Sequence, residues 1–253
     1  MGIINRLVPT RIQRPYRNLQ KRLDRLEVSV SILETAIDAL VVKPRYVAGD
    51  NAGFNGQLRR KEIFKDIISA VKFDACAETG TWLGDTTAFM SETAKVPTHS
   101  CEVNPRFHAL AKMRLAGQAG ITLCEGDSRA FLRNLDLSED KVIFFYLDAH
   151  RYEDAPLADE LGIIATRWKN FVAMVDDFKV TGDDGYVFDN YPETGALDVA
   201  LIHAPIQRFG LKVWFPSAPS GSETGAKRGC VVLSPSGVLS SKLSSLKTLR
   251  QGA

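Results

Sequence analysis

One stretch constrains this chain more than any other: Asp74-Ala75-Cys76-Ala77-Glu78-Thr79-Gly80-Thr81-Trp82-Leu83-Gly84-Asp85-Thr86-Thr87. A short, mostly apolar run leads into a turn holding Gly80 and Gly84, and the turn leads into a helical pattern. A strand that passes through such a turn into a helix leaves bare backbone N–H groups facing whatever lies above the turn. A second acid, Glu102, closes the next run, Thr98-His99-Ser100-Cys101. At the tip of the second strand of a doubly wound sheet, an acid is placed to take a ribose diol. Together the two features predict a nucleoside-bearing ligand.

The rest of the chain supports that architecture. Apolar runs predict strands over 75–78, 100–103, 121–124, 142–147 and 171–175. Helical patterns over 86–95, 129–135 and 157–168 alternate with them, and another follows the Asn104-Pro105 cap, with Phe107, Leu110, Ala111 and Leu115 facing inward. Ile63, Phe64, Ile67, Ile68 and Val71 mark a helix covering the first strand. Continuous apolar strands alternating with helices argue for a parallel sheet buried on both faces. Two later runs, 211–215 and 229–233, are joined by a polar loop and read as an antiparallel hairpin. The tail from Ser234 is Ser-rich and weakly patterned, so disorder is expected there.

A length of 253 residues suits one α/β domain with an appendage. The net charge of +2 gives no reason to expect nucleic acid. Cys76, Cys101, Cys124 and Cys230 have no metal-ligand spacing and fall in strand-like runs, so they read as reduced core residues. That reading favours a cytoplasmic location. No run is long enough to span a bilayer.

The N-terminal segment follows a different pattern. Ile12, Tyr16, Leu19, Leu23, Leu26, Val30, Leu33, Ile37 and Leu40 recur at alternating spacings of four and three, the seam of a coiled coil. Self-association through that helix is expected, the alternative being a helix folded back on the domain. Pro15 predicts a start at or after that residue. The first 22 residues carry six basic and no acidic side chains, which reads as a solvated arm rather than a membrane contact. The resulting division is a basic arm and coiled-coil helix over 1–45, a connector over 46–58, a ligand-binding domain over 59–235 and a tail over 236–253.

A dinucleotide site needs G-x-G-x-x-G so that backbone can approach a diphosphate. Here Trp82 stands between the two glycines, and Glu78 would repel a diphosphate. The residues suit a ligand with positive charge, hydroxyls and no phosphate. S-adenosylmethionine (SAM), with its sulfonium, ammonium and ribose diol, is such a ligand. Glu78-x-Gly80-x-x-x-Gly84-x-Thr86-Thr87 resembles the first motif of class I SAM-dependent methyltransferases. It is similar to the variant found in metal-dependent O-methyltransferases of the catechol and macrocin types. The resemblance spans residues 57–191 and returns more weakly in the final hairpin. It implies a Rossmann-like, doubly wound, mostly parallel seven-stranded sheet ending in an antiparallel hairpin. It also implies that Glu78, Gly80, Thr81 and Gly84 line the methionine moiety. Glu102 would take the ribose, and Gly126, Asp127 and Ser128 would flank the adenine.

Two more predicted strands end in acids, at Asp148 and at Asp176-Asp177. In an open parallel sheet these ends share one crevice. Converging carboxylates repel, and a divalent cation such as magnesium relieves the repulsion. The same acids can instead cap a loop or meet an arginine. The resemblance implies Asp148, Asp176 and Asp177 as metal ligands. Where the catechol type carries a basic lysine this chain has Arg151, which stays protonated. His150 then becomes the candidate base beside Asp148, with His203 and Lys179 behind it. The run 181–191, rich in glycine and aromatics, reads as a substrate lid.

The expected activity is O-methylation of a small metabolite or saccharide hydroxyl. Two alternatives remain. One is an oligomeric scaffold that keeps an idle cofactor pocket. The other is another Rossmann-type enzyme, such as a nucleotide-sugar transferase.

Overall fold

The computed structural model describes residues 10–41, 53–149, 155–192 and 195–252. The chain divides into two compact units, Met1–Pro44 and Arg45–Ala253.

The described part of the first unit is one helix, α1 (Thr10–Val41). It starts earlier than Pro15 had suggested and passes through that residue. Proline removes one N–H donor, and a helix of 32 residues absorbs the loss of one hydrogen bond. Along the predicted seam, Leu19, Leu23, Leu26, Val30 and Leu33 are exposed. No described helix is long and apolar enough to cross a membrane.

The second unit is a twisted α/β layer structure. Helix α2 (Leu58–Ala70) precedes β1 (Ala75–Thr79), and α3 (Asp85–Ala94), β2 (Thr98–Glu102), α4 (Pro105–Arg114) and β3 (Ile121–Glu125) follow. Then come α5 (Ser128–Asn134), β4 (Val142–Leu147), α6 (Leu157–Arg167) and β5 (Asn170–Val175). A small antiparallel pair, β6 (Asn190–Tyr191) and β7 (Gly195–Ala196), stands apart from the main sheet. The chain ends with α7 (His203–Phe209), β8 (Leu211–Pro216), β9 (Val231–Pro235), α8 (Val238–Ser244) and β10 (Leu249–Gln251).

The main sheet has the order β10-β8-β9-β5-β4-β1-β2-β3. Strands β1 to β5 run parallel, while β9 pairs antiparallel with β5 and with β8, and β10 antiparallel with β8. The predicted hairpin is therefore present, but the sheet has eight strands rather than seven. The eighth comes from the tail that was expected to be disordered: residues 236–253 include α8 and β10. Serines on the outer face of α8 hide a short amphipathic pattern whose inward residue, Leu243, is fully buried.

Alternate residues of the central strands feed two cores. Ile143, Phe145 and Leu147 of β4 pack with Leu157, Leu161, Ile164 and Trp168 on one face. Phe144 and Tyr146 pack with Ile63, Phe64, Ile67 and Met90 on the other. Burial on both faces is why these strands read as unbroken apolar runs. The edge strand β3 is the exception, and Cys124 on it is exposed while Cys76, Cys101 and Cys230 are buried. The described part of the predicted connector is also core: Phe54 and Gln57 are fully buried, and Phe54 packs against Phe64, Phe89 and Tyr146.

Strand register aligns the ends that matter. Thr79 pairs with both Cys101 and Leu147, Glu102 with Glu125, and Leu147 with Val175. The residues that follow these positions therefore leave the sheet along one edge.

If the tail is part of the fold, Leu249→Ala should cost about 2–4 kcal/mol in urea unfolding, the usual penalty for truncating a buried leucine. An unchanged midpoint would mean that β10 adds nothing to the core.

Candidate active site

The turn after β1 is shaped by contacts that only glycine permits. Gly80 has φ +89°, and a side chain there would collide with the backbone of Asp148, just past β4. Gly84 has φ +81° and would meet Leu115. Trp82, between them, is held in the left-handed region at φ 46°, an unusual state for a bulky residue. Its backbone N–H donates to Glu102 Oε2 at 2.8 Å, and Asn104 N–H donates to Glu102 Oε1 at 2.9 Å. Glu102 thus joins the end of β2 to the β1 turn.

Glu78 lies beneath the turn and is fully buried. Its Oε2 accepts from Thr87 and, at 2.6 Å, from Ser100 Oγ, which also pairs with Thr81 Oγ1 at 2.6 Å. Its Oε1 has no hydrogen-bond partner. Burial pushes the Glu78 carboxyl up to about 7, against the easing effect of Ser100 and Thr87. An orphaned, buried carboxylate oxygen next to a glycine turn fits a cationic ligand.

Beyond β3, Asp127 caps α5, accepting from Arg129 N at 3.0 Å and Ala130 N at 3.1 Å. Its ion pair with Arg129 at 2.9 Å holds its carboxyl below the ordinary range. Ser128, the first residue of α5, is buried. Near it, on the inner face of α6, lies Glu160, which sequence reading missed. It is fully buried, and burial raises its carboxyl to about 7. Ser128 and Thr79 ease its charge, yet neither closes a hydrogen bond of normal geometry to it.

The acids after β4 and β5 meet arginines. Arg60 on α2 is 1% exposed and forms an ion pair with Asp176, which is itself fully buried. Asp176 also accepts from Tyr146 Oη, from Asn55 Nδ2 at 3.3 Å and from Asp177 N at 2.6 Å. Asp177, at φ 55°, pairs with Arg228, which also pairs with Asp189. Asp189 takes a further bond from Tyr191 Oη at 2.7 Å. Asp148 is half-buried, and no described side chain or backbone group donates to its carboxyl. Burial and the nearby Asp177 push that carboxyl well above the ordinary carboxylate range.

These partners bear on the expected metal. No group of three or more His, Cys, Asp or Glu that could hold a metal ion is found among the described residues. Four donors fill the acceptor positions of Asp176, and Arg228 occupies Asp177. Asp148, Asp176 and Asp177 together do not fit a divalent cation. His150, the candidate base, lies outside the described residues, as does Arg151.

The predicted lid is pinned over much of its length. Asp183 accepts from Ser220 N and Oγ at 2.7 and 2.6 Å, Tyr186 Oη donates to the Ala218 carbonyl at 3.0 Å, and Tyr186 and Tyr191 are buried. Tyr186 and Tyr191 therefore serve the core, while Phe188 is half-buried beneath Lys179.

Several solved structures share this fold. The O-methyltransferase TomG from Streptomyces achromogenes, solved with SAM, matches with TM-score 0.53 at 13% identity, over 82% of this chain and 90% of that one. An O-methyltransferase from Bacillus cereus in complex with SAH matches with TM-score 0.53 at 12% identity, over 81% and 90%. Cofactor-bound Rv0187 from MTB matches with TM-score 0.52 at 16% identity, over 83% and 89%. No family model matches the chain, and no curated protein does. At these identities the likeness establishes the fold alone, a Rossmann-like α/β sheet shared with these proteins.

Glu160 gives a direct check on the electrostatics. Its carboxyl rises from 4.5 to about 7 on folding, so ionising it costs the folded state about 3 kcal/mol. A raised carboxyl makes the native state bind its proton more tightly, so that stability is lost as pH climbs from 4.5 through 7. Glu160→Gln should therefore gain about 3 kcal/mol on the parent protein between pH 4.5 and pH 8, measured by urea unfolding. A difference independent of pH would contradict the buried placement.

Proposed function

We propose that the chain is a SAM-dependent O-methyltransferase acting on a hydroxyl of a small metabolite or saccharide. The observation that carries the reading is the row of strand ends. A glycine turn over a buried Glu78, an ordered Glu102 and the start of α5 lie side by side, where an adenosyl ligand needs them. SAM supplies an electrophilic methyl group on sulfur. The chain would supply the rest. Glu78, whose carboxyl burial pushes up, would be drawn to its charged form by a nearby sulfonium or ammonium. Gly80, Thr81 and Gly84 would let the ligand approach the backbone, Glu102 would take the ribose hydroxyls, and Ser128 would border the adenine beside the Asp127 cap.

Among the described residues no group donates to the Asp148 carboxyl, which leaves it open to take a proton from an acceptor hydroxyl at this edge. No divalent cation enters this scheme, because two of the three acids expected to hold one, Asp176 and Asp177, are already engaged. Acids outnumber arginines along the rim, which favours neutral acceptors over anionic ones. The heptad spacing of α1 is the ground for self-association of the protein through a coiled coil.

Isothermal titration with SAM and a methyl-transfer panel of hydroxylated acceptors test the reading together. Glu102→Ala should weaken SAM binding about tenfold or more, as expected for losing a charged hydrogen-bonding group. Asp148→Ala should abolish transfer and leave SAM affinity nearly unchanged. No heat with the intact protein would refute the cofactor. Equal loss of affinity and turnover in Asp148→Ala would refute the assigned role of that acid.

A further inference from the structure

We propose that Arg60 and Arg228 stand where a divalent cation would otherwise neutralise the acids of this edge, so that the acceptor side of the cleft works without metal. The inference rests on the methyltransferase reading above and specifies how its acceptor site is held together.

Asp148 follows β4, Asp176 and Asp177 follow β5, and Asp189, just before β6, is brought to them through Arg228. Like charges this close need counter-charge, and two sources are available, a metal ion or fixed cations. The chain supplies fixed cations, and they are built in from different parts of the fold. Arg60 comes from the core-facing side of α2. Besides its ion pair with Asp176, its Nη2 donates to the carbonyls of Arg228 and, at 3.0 Å, Gly229. Arg228 comes from the loop before β9 and joins Asp177 to Asp189. Its side chain is 24% exposed, so one arginine is sealed in the core and the other reaches the rim.

The stoichiometry of donors decides against a shared arrangement. Asp176 already receives Arg60, Tyr146, Asn55 and the Asp177 N–H, which are as many donors as a carboxylate has acceptor positions. A metal would have to evict one of them, and evicting Arg60 would strand a charge that is 1% exposed. A guanidinium stays charged at any working pH and presents a planar fork to carboxylates, so it neutralises without the exchange that a bound ion undergoes. Arg60 is a positioning residue, and Arg228 fixes the wall of the acceptor site.

Mn2+ titration followed by electron paramagnetic resonance, with S-adenosylhomocysteine present, tests the proposal on the full chain. The parent protein should show no saturable Mn2+ site at concentrations up to about 1 mM, the weak limit for carboxylate sites. Arg228→Met exposes Asp177 and Asp189 and should raise Mn2+ affinity by about tenfold or more. Saturable binding to the parent protein that is lost in Asp177→Asn would overturn the proposal. So would an Arg228→Met protein that folds and gains no affinity. Should that variant not fold, the parent titration decides alone. Failure of S-adenosylhomocysteine to bind, measured by calorimetry on the same sample, would instead sink the methyltransferase reading, a separate result from the Mn2+ titration.

Discussion

The buried pair between Arg60 and Asp176 ties together distant parts of this molecule. It links α2 to the end of β5. Through Tyr146 it reaches β4, and through Asn55 the segment before α2. Through the carbonyls of Arg228 and Gly229 it reaches the approach to β9. A buried pair of this kind contributes little net stability over an apolar substitute, but losing one partner costs about 3–5 kcal/mol because the other is stranded. Its effect is to fix geometry. Four stretches of chain that are distant in sequence must agree on position before either charge is satisfied.

That agreement sets the edge on which the candidate site is built. Parallel register carries Thr79, Cys101 and Leu147 to one level, and the turn after each strand continues from there. The edge then divides into two chemically distinct halves. On the β1–β3 side, buried or capped acids and a glycine turn leave acceptor groups for a cationic, hydroxyl-bearing ligand. On the β4–β5 side, arginines take up the acids and leave Asp148 with its raised carboxyl. The steep backbone at Trp82 and Asp177, both in the left-handed region, marks the two places where the chain turns away from the sheet into these halves.

Much of this was legible in the sequence, and for definite reasons. The parallel strands announce themselves because both faces are buried, and the glycine turn does so because no other residue tolerates the approach of Asp148. The strand-end acids were found for the same positional reason. Their partners were not, since arginine is ordinarily read as surface. Yet Arg60 sits three and four residues before Ile63 and Phe64, on the apolar stripe of α2, and Glu160 likewise falls between Leu157 and Ile164 on the stripe of α6. A charged residue on an apolar stripe is a buried charge in search of a partner. The tail was misread because serine dominates its exposed face, although Leu243 and Leu249 supply its buried one. The arginine at position 228 had no such signal: it lies in a polar loop, and only the fold brings it to Asp177.

A crystal structure with S-adenosylhomocysteine, grown in the presence of Mn2+, is the most direct test of the whole arrangement. The account predicts the adenosyl group across the Gly80–Gly84 turn, its ribose on Glu102, and Arg60 and Arg228 still joined to Asp176 and Asp177. Anomalous density for manganese among Asp148, Asp176 and Asp177 with the arginines displaced, or a ligand bound away from the β1 turn, would contradict it.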